Sequence, residues 1–314
     1  MLLRAPDDYV PRGMPKGNNI SWLNSLLQSL VYAYDFNRVV DSSHREALND
    51  CDQDEVFKGV WRAITEHEEE PTDPRPSYDS LAQAMLRAGI VQDLNNVDPV
   101  KAFHLLLCHL GKCIEYDDLP PEERPFRHLF KWECQRRHTC IASGGYQSQR
   151  YFNDVVFPLD ASDNTLRRYL AEGHETVSTE FLLDRSMSAP TPAHRCGNIP
   201  VADIRYRLGY YLALEYQRDQ QGPAGGPLPT QTLSLHLRIN DVRWSLFAAI
   251  LRHEPSENKS GRPHFTTLVF GGGELYHVND DKVKIVANNV NFESLRFASF
   301  ELPKIVLAFY QEAH

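Results

Sequence analysis

The stretch "GMPKGNNISWLNSLLQSL", residues 13–30, joins a loop rich in glycine and asparagine to an apolar segment, with Ser21 at the junction. After the junction, apolar residues recur at helical spacing, at Leu23, Leu26, Leu27, Leu30, Val31 and Tyr34. We therefore expect a helix that begins at about Ser21. A side chain there lies beside N–H groups without intrahelical partners, in the positive end of the helix dipole. Ser21 is either a helix N-cap or a residue at a position suited to a nucleophile.

Composition limits the classes of function. The 314 residues are 42% hydrophobic and 24% charged, as in ordinary globular proteins, and no apolar run reaches the roughly 18 residues of a membrane span. The net charge of −9 and the scattered basic residues argue against nucleic acid and favour a basic peptide partner. We expect no membrane association. Because the first residues resemble neither a signal nor a transit peptide, we expect a cytoplasmic or nuclear protein.

The chain changes character after about residue 119. Before that point we predict helices at residues 78–88 and 99–110, and a solvated linker at "EHEEEPTDPRPS". Beyond it, short β-branched and aromatic runs predict a sheet. Within this half, "TLSLHLRI" alternates like a single strand, "WSLFAAIL" is apolar on both faces like a central strand, and "GGG" at residues 271–273 indicates a hairpin turn.

A second informative stretch is "RPHFTTLVFGGGELYHVNDDKVKIV" near the C-terminal end. His264 opens one predicted strand, and Asn279 and Asp280 end the next. The start and end of an antiparallel hairpin lie side by side, so Asn279 or Asp280 can orient the His264 ring. A strand histidine before such a turn is more often without function when it stands alone.

Taken together, the two stretches resemble the signature boxes of the ubiquitin-specific protease family of cysteine deubiquitinases. In the first box, Ser21 falls on the catalytic cysteine, and the other matches are Gly13, Met14, Asn19, Ile20, Trp22, Asn24, Ser25, Leu27 and Gln28. In the second box, the matches are His264, Phe265, Tyr276, Val278, Asn279 and Asp280. Two further segments, "RWSLFAAILRHE" and "YYLALEYQRD", resemble strands of the family, so the resemblance spans most of the chain.

The resemblance implies an α+β, papain-like fold in one catalytic domain, with a helical thumb at residues 1–126, a fingers region at 127–200 and a β-rich palm at 201–314. It implies an isopeptidase that cleaves after the C-terminal Gly-Gly of ubiquitin or a ubiquitin-like modifier and needs no cofactor for catalysis. In the thiol form, residue 21 is the nucleophile, His264 the base, and Asn279, beside Asp280, the residue that orients it. Asn19 and backbone N–H groups are expected to stabilise the oxyanion. The cytosol of a host cell is a further expected location if the chain is a pathogen effector.

The main departure from the family is Ser21 itself. An alcohol is far less acidic than a thiol, and the sequence lacks the elbow motif of serine hydrolases, so we predict a nearly inactive chain. An engineered Cys-to-Ser change and a natural pseudoenzyme that serves as a binding or scaffold module both explain the serine. Retention of His264 and Asn279 favours the first. Lys16 also departs from the family, since it replaces an asparagine that helps to stabilise the oxyanion.

The family often carries a zinc site in its fingers. Here the ligand set implied by the resemblance is Cys134, Cys140, His194 and Cys196, although their spacing is unusual and buried unligated cysteines are common. The sequence therefore leaves two alternatives, a structural zinc site or unligated cysteines.

Four residues are implied in substrate binding. Asp98 matches an aspartate that binds the arginine-rich tail of ubiquitin, although it is equally well placed as an N-cap before Pro99. Trp22, Phe265 and Tyr276 are expected to wall a channel narrow enough to select glycine residues.

Overall fold

The computed structural model describes residues 11–45, 54–68, 78–113, 125–140, 146–188, 201–217, 228–254, 262–287, 294–296 and 304–313. The helices in these ranges are α1 Ser21–Leu30, α2 Tyr34–Arg45, α3 Glu55–Glu68, α4 Asp79–Arg87, α5 Pro99–Cys113, α6 Pro125–Phe130, α7 Asp163–Ala171 and α8 Thr179–Ser188. The first strands are β1 Trp132–Cys140, β2 Tyr146–Asp154, β3 Phe157–Asp160, β4 Thr176–Ser178, β5 Val201–Leu208, β6 Tyr211–Gln217 and β7 Thr230–Ser234. The remaining strands are β8 His236–Ile239, β9 Val242–His253, β10 His264–Gly271, β11 Glu274–Asn279, β12 Lys282–Ala287, β13 Ser294–Arg296 and β14 Lys304–Glu312.

Helix α1 lies at the centre of the molecule. Every residue from Trp22 to Leu30 is buried, so the helix is enclosed on all sides. It packs on β10 and β9, and the Thr267 hydroxyl of β10 donates to the Ser25 carbonyl of α1 at 3.1 Å. Sheet and helix are thereby joined close to the Ser21 end of the helix.

The helical half confirms the predicted helices at α4 and α5. Helices α2 and α3 lie between α1 and α4, in the segment for which the spacing predicted no individual helix. The predicted linker begins too early, because α3 continues to Glu68. Residues 69–77 of that linker lie outside the described residues.

Eight of the described strands form one sheet, in the order β12-β11-β10-β9-β14-β6-β3, with β8 paired to β9. Strand β9 lies between β10 and β14, and its residues 246–251 are all buried, which confirms the predicted central strand. The turn between β10 and β11 is formed by Gly272 and Gly273 with φ of 59° and 78°. Positive φ at both positions suits a tight hairpin turn and explains the predicted glycine turn.

The segment "TLSLHLRI" is not the single strand that its alternation predicted. It contains most of β7 and all of β8, with Leu235 between them. Strand β7 pairs with β4 and β13, whereas β8 pairs with β9 of the large sheet. Alternation reports which face each side chain occupies, and both short strands bury their leucines, so the pattern continues across the break.

Two hydrophobic clusters hold the molecule together. One unites the helical half with the large sheet, and in it the rings of Phe103, Phe130 and Phe309 meet edge to face. The other packs α7, α8 and β1 against other parts of the sheet. Among the described helices, none has both the length and the hydropathy needed to cross a bilayer.

Candidate active site

Ser21 is the first residue of α1, but its side chain does not cap the helix. The N-cap position is Ile20, which offers no side-chain oxygen, and no side-chain hydrogen bond caps this end. The Ser21 hydroxyl instead accepts a hydrogen bond from the Phe265 N–H at 3.3 Å. The N-cap interpretation of Ser21 is therefore wrong, because its oxygen faces the late hairpin.

His264 and Asn279 form the second part of the site. The two residues open β10 and close β11, and His264 Nε2 lies 2.7 Å from Asn279 Oδ1. Because an amide oxygen only accepts, Nε2 carries a proton in this bond and the lone pair of neutral His264 is on Nδ1. Nδ1 is then the nitrogen that can act as a base. No hydrogen bond joins Ser21 to His264 among the described residues, although both line the same cavity.

Asp280 holds the turn beside His264 in place. Its carboxylate accepts from Asn24 Nδ2 at 2.8 Å, and its carbonyl accepts from the Met14 N–H at 2.8 Å. Asp280 has a φ of 51°, a left-handed conformation that aspartate adopts more readily than most residues. Asn24 Nδ2 also donates to the Pro15 carbonyl at 3.1 Å. Asn24, which the resemblance matched without assigning a role, thus fastens α1 to both the N-terminal segment and this turn.

The loop before Ser21 is held by the start of α4. The Asn18 N–H donates to Asp79 Oδ1 at 2.9 Å. A Cβ on Gly17 would lie 2.5 Å from Ile20 Cδ1 and 2.8 Å from the Asp79 carboxylate oxygens, so a larger residue there would displace the side chain that holds the loop. Asn19 has a φ of 61° and is exposed, with Nδ2 3.5 Å from Asn95 Oδ1. The loop geometry therefore depends on residues about 60 to 80 positions further along the chain.

These elements enclose a cavity of about 440 Å³, a size typical of ligand sites. The cavity-lining residues are Lys16, Gly17, Asn19, Ile20, Ser21, Trp22, Leu94, Asn95, Val97, Arg262, Pro263, His264, Phe265 and Asp280. Leu94, Asn95, Val97 and Arg262 were not predicted as part of a site. The sequence signal that could have pointed to Arg262 is its place two residues before His264.

Two further histidines lie near His264. His253 and His277 place their Nε2 atoms 2.8 and 2.9 Å from the Thr266 hydroxyl, and the His253 ring lies 6.1 Å from that of His264 between centroids. Burial, reinforced by the neighbouring histidines, lowers the pKa of His253 to about 4. Burial, with smaller effects of Lys284 and His264, also lowers the pKa of His277. Both rings are therefore neutral near pH 7 and add no positive charge beside His264.

The structure separates the four predicted substrate-binding residues into two groups. Trp22 and Phe265 line the cavity as expected. Tyr276 does not: it pairs with Val269 further along the hairpin and donates its hydroxyl to Glu274, which raises the pKa of Tyr276 to about 12. The register of β11 explains this, because the strand ends at Asn279 and carries Tyr276 away from the mouth of the hairpin.

Asp98 serves as a helix cap. Its Oδ1 accepts from the Val100 N–H at 2.9 Å at the start of α5, which confirms the capping interpretation. Asp98 is exposed and follows Val97, a cavity-lining residue. Its role in binding a basic tail stays a prediction.

The ligand set predicted for zinc is not compatible with the fold. Cys134 and Cys140 lie on one continuous strand, paired with β2 at nine successive positions. Six residues of extended strand separate their Cα atoms by about 20 Å, whereas the sulfur ligands of one zinc each lie about 2.3 Å from the ion. Cys134 is also buried in a hydrophobic cluster. His194 and Cys196 fall outside the described residues, and within the described ones no group of three or more His, Cys, Asp or Glu could hold a metal ion.

No family model and no curated protein matches the sequence. Its fold, in contrast, matches solved structures over nearly its whole length. The Ubp8-Sgf11-Sgf73-Sus1 SAGA DUB module aligns with a TM-score of 0.68 and 13% identity, over 96% of this chain and 68% of that chain. The same DUB module bound to monoubiquitin gives a TM-score of 0.64 and 14% identity, over 96% and 69%. An essential yeast splicing factor gives 0.65 and 13%, over 98% and 71%.

The chain therefore has the α+β fold of the ubiquitin-specific protease catalytic domain, as the resemblance predicted. Similarity at this level of identity establishes the fold. The proximity of Ser21 to the His264–Asn279 pair rests on the hydrogen bonds of this chain itself and not on the comparison.

Proposed function

We propose that this chain binds the C-terminal Gly-Gly tail of ubiquitin or a ubiquitin-like modifier in the cavity next to Ser21, and that a thiol at position 21 would make it an isopeptidase. The observation that carries the proposal is that residues 244 positions apart in sequence meet there, since the Phe265 N–H donates to Ser21 beside the His264–Asn279 pair. The similar SAGA DUB module has been solved with monoubiquitin and with ubiquitin aldehyde, which supports ubiquitin as the first modifier to test.

In the thiol form, the chemistry follows from the positions of these groups. His264 Nδ1 takes the proton of the thiol, and the thiolate attacks the carbonyl carbon of the terminal glycine. The imidazolium then gives its proton to the departing lysine amine, and a thioester to residue 21 remains. Water, activated by His264, hydrolyses the thioester and frees the carboxylate. Asn279 keeps the ring in the required orientation and tautomer throughout.

The oxyanion that forms during attack needs hydrogen-bond donors. The backbone N–H groups at the start of α1 and the side chain of Asn19 are the candidates, with the Lys16 ammonium at the place of the family asparagine. The left-handed backbone of Asn19 and the bond from Asn18 to Asp79 fix the path of this loop.

With serine at position 21, we propose binding without turnover. His264 is a weak base for an alcohol, whose proton is held far more tightly than that of a thiol. A pseudoenzyme that acts as a binding or scaffold module is the second candidate function. The serine at position 21 favours it, and the same fold occurs in an essential yeast splicing factor.

The two candidates differ in the effect of Ser21→Cys on cleavage of a ubiquitin C-terminal fluorogenic reporter. For the isopeptidase we expect this variant to gain turnover, and we expect His264→Ala in the same background to lose roughly a hundredfold or more of it. Asn279→Ala should lose less, because the base itself remains. Ser21→Ala is the matched control and should remain inactive while it still binds ubiquitin.

A Ser21→Cys variant that binds ubiquitin but stays inactive would establish the binding-module function. Failure of both ubiquitin and SUMO reporters to bind would contradict both candidates.

A further inference from the structure

We infer that the Ser21 cavity recognises the free C-terminal carboxylate of a Gly-Gly modifier in preference to the same tail in amide linkage. The inference rests on the proposed function for the identity of the tail. It adds that this chain retains a released modifier, which is the product of isopeptide hydrolysis, more strongly than a conjugate.

The first argument is the charge around the cavity. Lys16 and Arg262 both line it, and both are exposed. Neither forms an ion pair with a residue in the described ranges, so both positive charges are available to a ligand. Asp280 is the acidic lining residue, and one of its carboxylate oxygens already accepts from Asn24 at 2.8 Å. A cavity with two cations and one anion is notable in a chain whose net charge is −9.

The second argument is an excess of hydrogen-bond donors. Helix α1 begins at the cavity without a side-chain cap, so its first N–H groups lack the acceptor that a cap would supply. A carboxylate, which only accepts, complements these donors better than an amide, which brings a donor of its own.

The third argument is the serine. In a cysteine enzyme the nucleophile paired with histidine is an anion, and it repels a product carboxylate at close range. The neutral Ser21 hydroxyl removes this repulsion and can donate its proton to a carboxylate oxygen, since its oxygen already accepts from the Phe265 N–H. The features that reduce catalysis thus favour retention of the product.

The test compares two forms of one modifier. Fluorescently labelled ubiquitin with its natural C-terminal carboxylate, and the same protein with a C-terminal carboxamide, are titrated with the full chain by fluorescence anisotropy. A parallel pair is made from SUMO. We expect the carboxylate form of the recognised modifier to bind about tenfold more tightly or better, because charge-assisted hydrogen bonds are roughly twice as strong as neutral ones.

The matched variants assign the effect to the two cations. Lys16→Met with Arg262→Gln should reduce the ratio of the two affinities to about one, because the carboxylate form loses far more affinity than the carboxamide form. Lys58→Met with Arg38→Gln removes the same charge from exposed positions outside the cavity and should leave the ratio unchanged. Thermal unfolding of both double variants verifies that the fold is retained.

Equal affinity of the unmodified chain for the carboxylate and carboxamide forms would overturn the inference and leave the proposed function intact. The inference also fails if the cavity double variant keeps the full preference. If neither ubiquitin nor SUMO binds in either form, the proposed function itself is wrong.

Discussion

Asn24 is the residue whose removal should most directly separate the nucleophile helix from the turn that carries Asn279. The side chain is 3% exposed and donates to the Pro15 carbonyl at 3.1 Å and to the Asp280 carboxylate at 2.8 Å. Net contributions are about 1 kcal/mol for a neutral hydrogen bond and about 1.5–3 kcal/mol for one to a charged group. Asp280 is partly exposed, which weakens its hydrogen bond to Asn24. The buried Asn24 Oδ1 has no hydrogen-bond partner, so removal of the side chain also removes the free-energy cost of burying that oxygen. We therefore expect Asn24→Ala to lower the free energy of unfolding by about 2 kcal/mol.

The assay is urea unfolding followed by circular dichroism and tryptophan fluorescence. Asp280→Gly removes the acceptor while the positive φ remains accessible, and the double variant completes a thermodynamic cycle. We expect a coupling energy of at least about 1 kcal/mol between the two positions. Asn95→Ala is the control, because Asn95 is exposed and its bond to Asn19 is 3.5 Å long, and it should cost less than about 0.5 kcal/mol. A loss below about 0.5 kcal/mol for Asn24→Ala, or zero coupling to Asp280, would refute this account of the site.

Two further predictions concern stability. His253 has a pKa of about 4 when folded, below its unfolded value of about 6.5, so the unfolded chain binds more protons between these values. The stability that comes from neutral His253 is complete above about pH 6.5 and is lost as the pH falls toward 4. Tm measured from pH 7.5 to 4.5 should fall less steeply in His253→Gln, and parallel curves would contradict the prediction. Gly13→Ala should destabilise by about 1–3 kcal/mol, because its Cβ would lie 2.5 Å from the Asp281 carbonyl carbon. Gly111→Ala is the matched change in α5, where an added Cβ would meet open space, and it should be neutral or stabilise by up to about 1 kcal/mol. If the urea midpoints of the Gly13→Ala and Gly111→Ala variants fall by similar amounts, this steric argument is wrong.

Much of the site could be predicted because its parts are local in sequence. The apolar spacing after residue 21 placed the start of α1. His264 and Asn279 are 15 positions apart in one hairpin, and a two-residue glycine turn fixes which residues face each other. Short-range geometry of this kind can be derived from the chain without knowledge of the rest of the fold.

Other features were missed because local patterns do not contain them. Alternation predicted one strand where β7 and β8 join different sheets. The cysteine pattern suggested a shared zinc site, whereas Cys134 and Cys140 lie far apart along one strand. Tyr276 matched a family position but lies away from the cavity, since strand register sets its place.

The sequence by itself determined the helix that begins at Ser21, the hairpin that pairs His264 with Asn279, and the resemblance that predicted the fold. Only the tertiary structure decided that these two parts meet, that Asn24 fastens one to the other, and that Lys16 and Arg262 share a cavity. The physical reason is that helix starts and hairpin registers arise from interactions between near neighbours in the chain. A contact across 244 positions forms only when the core between α1 and β10 packs and brings their ends together.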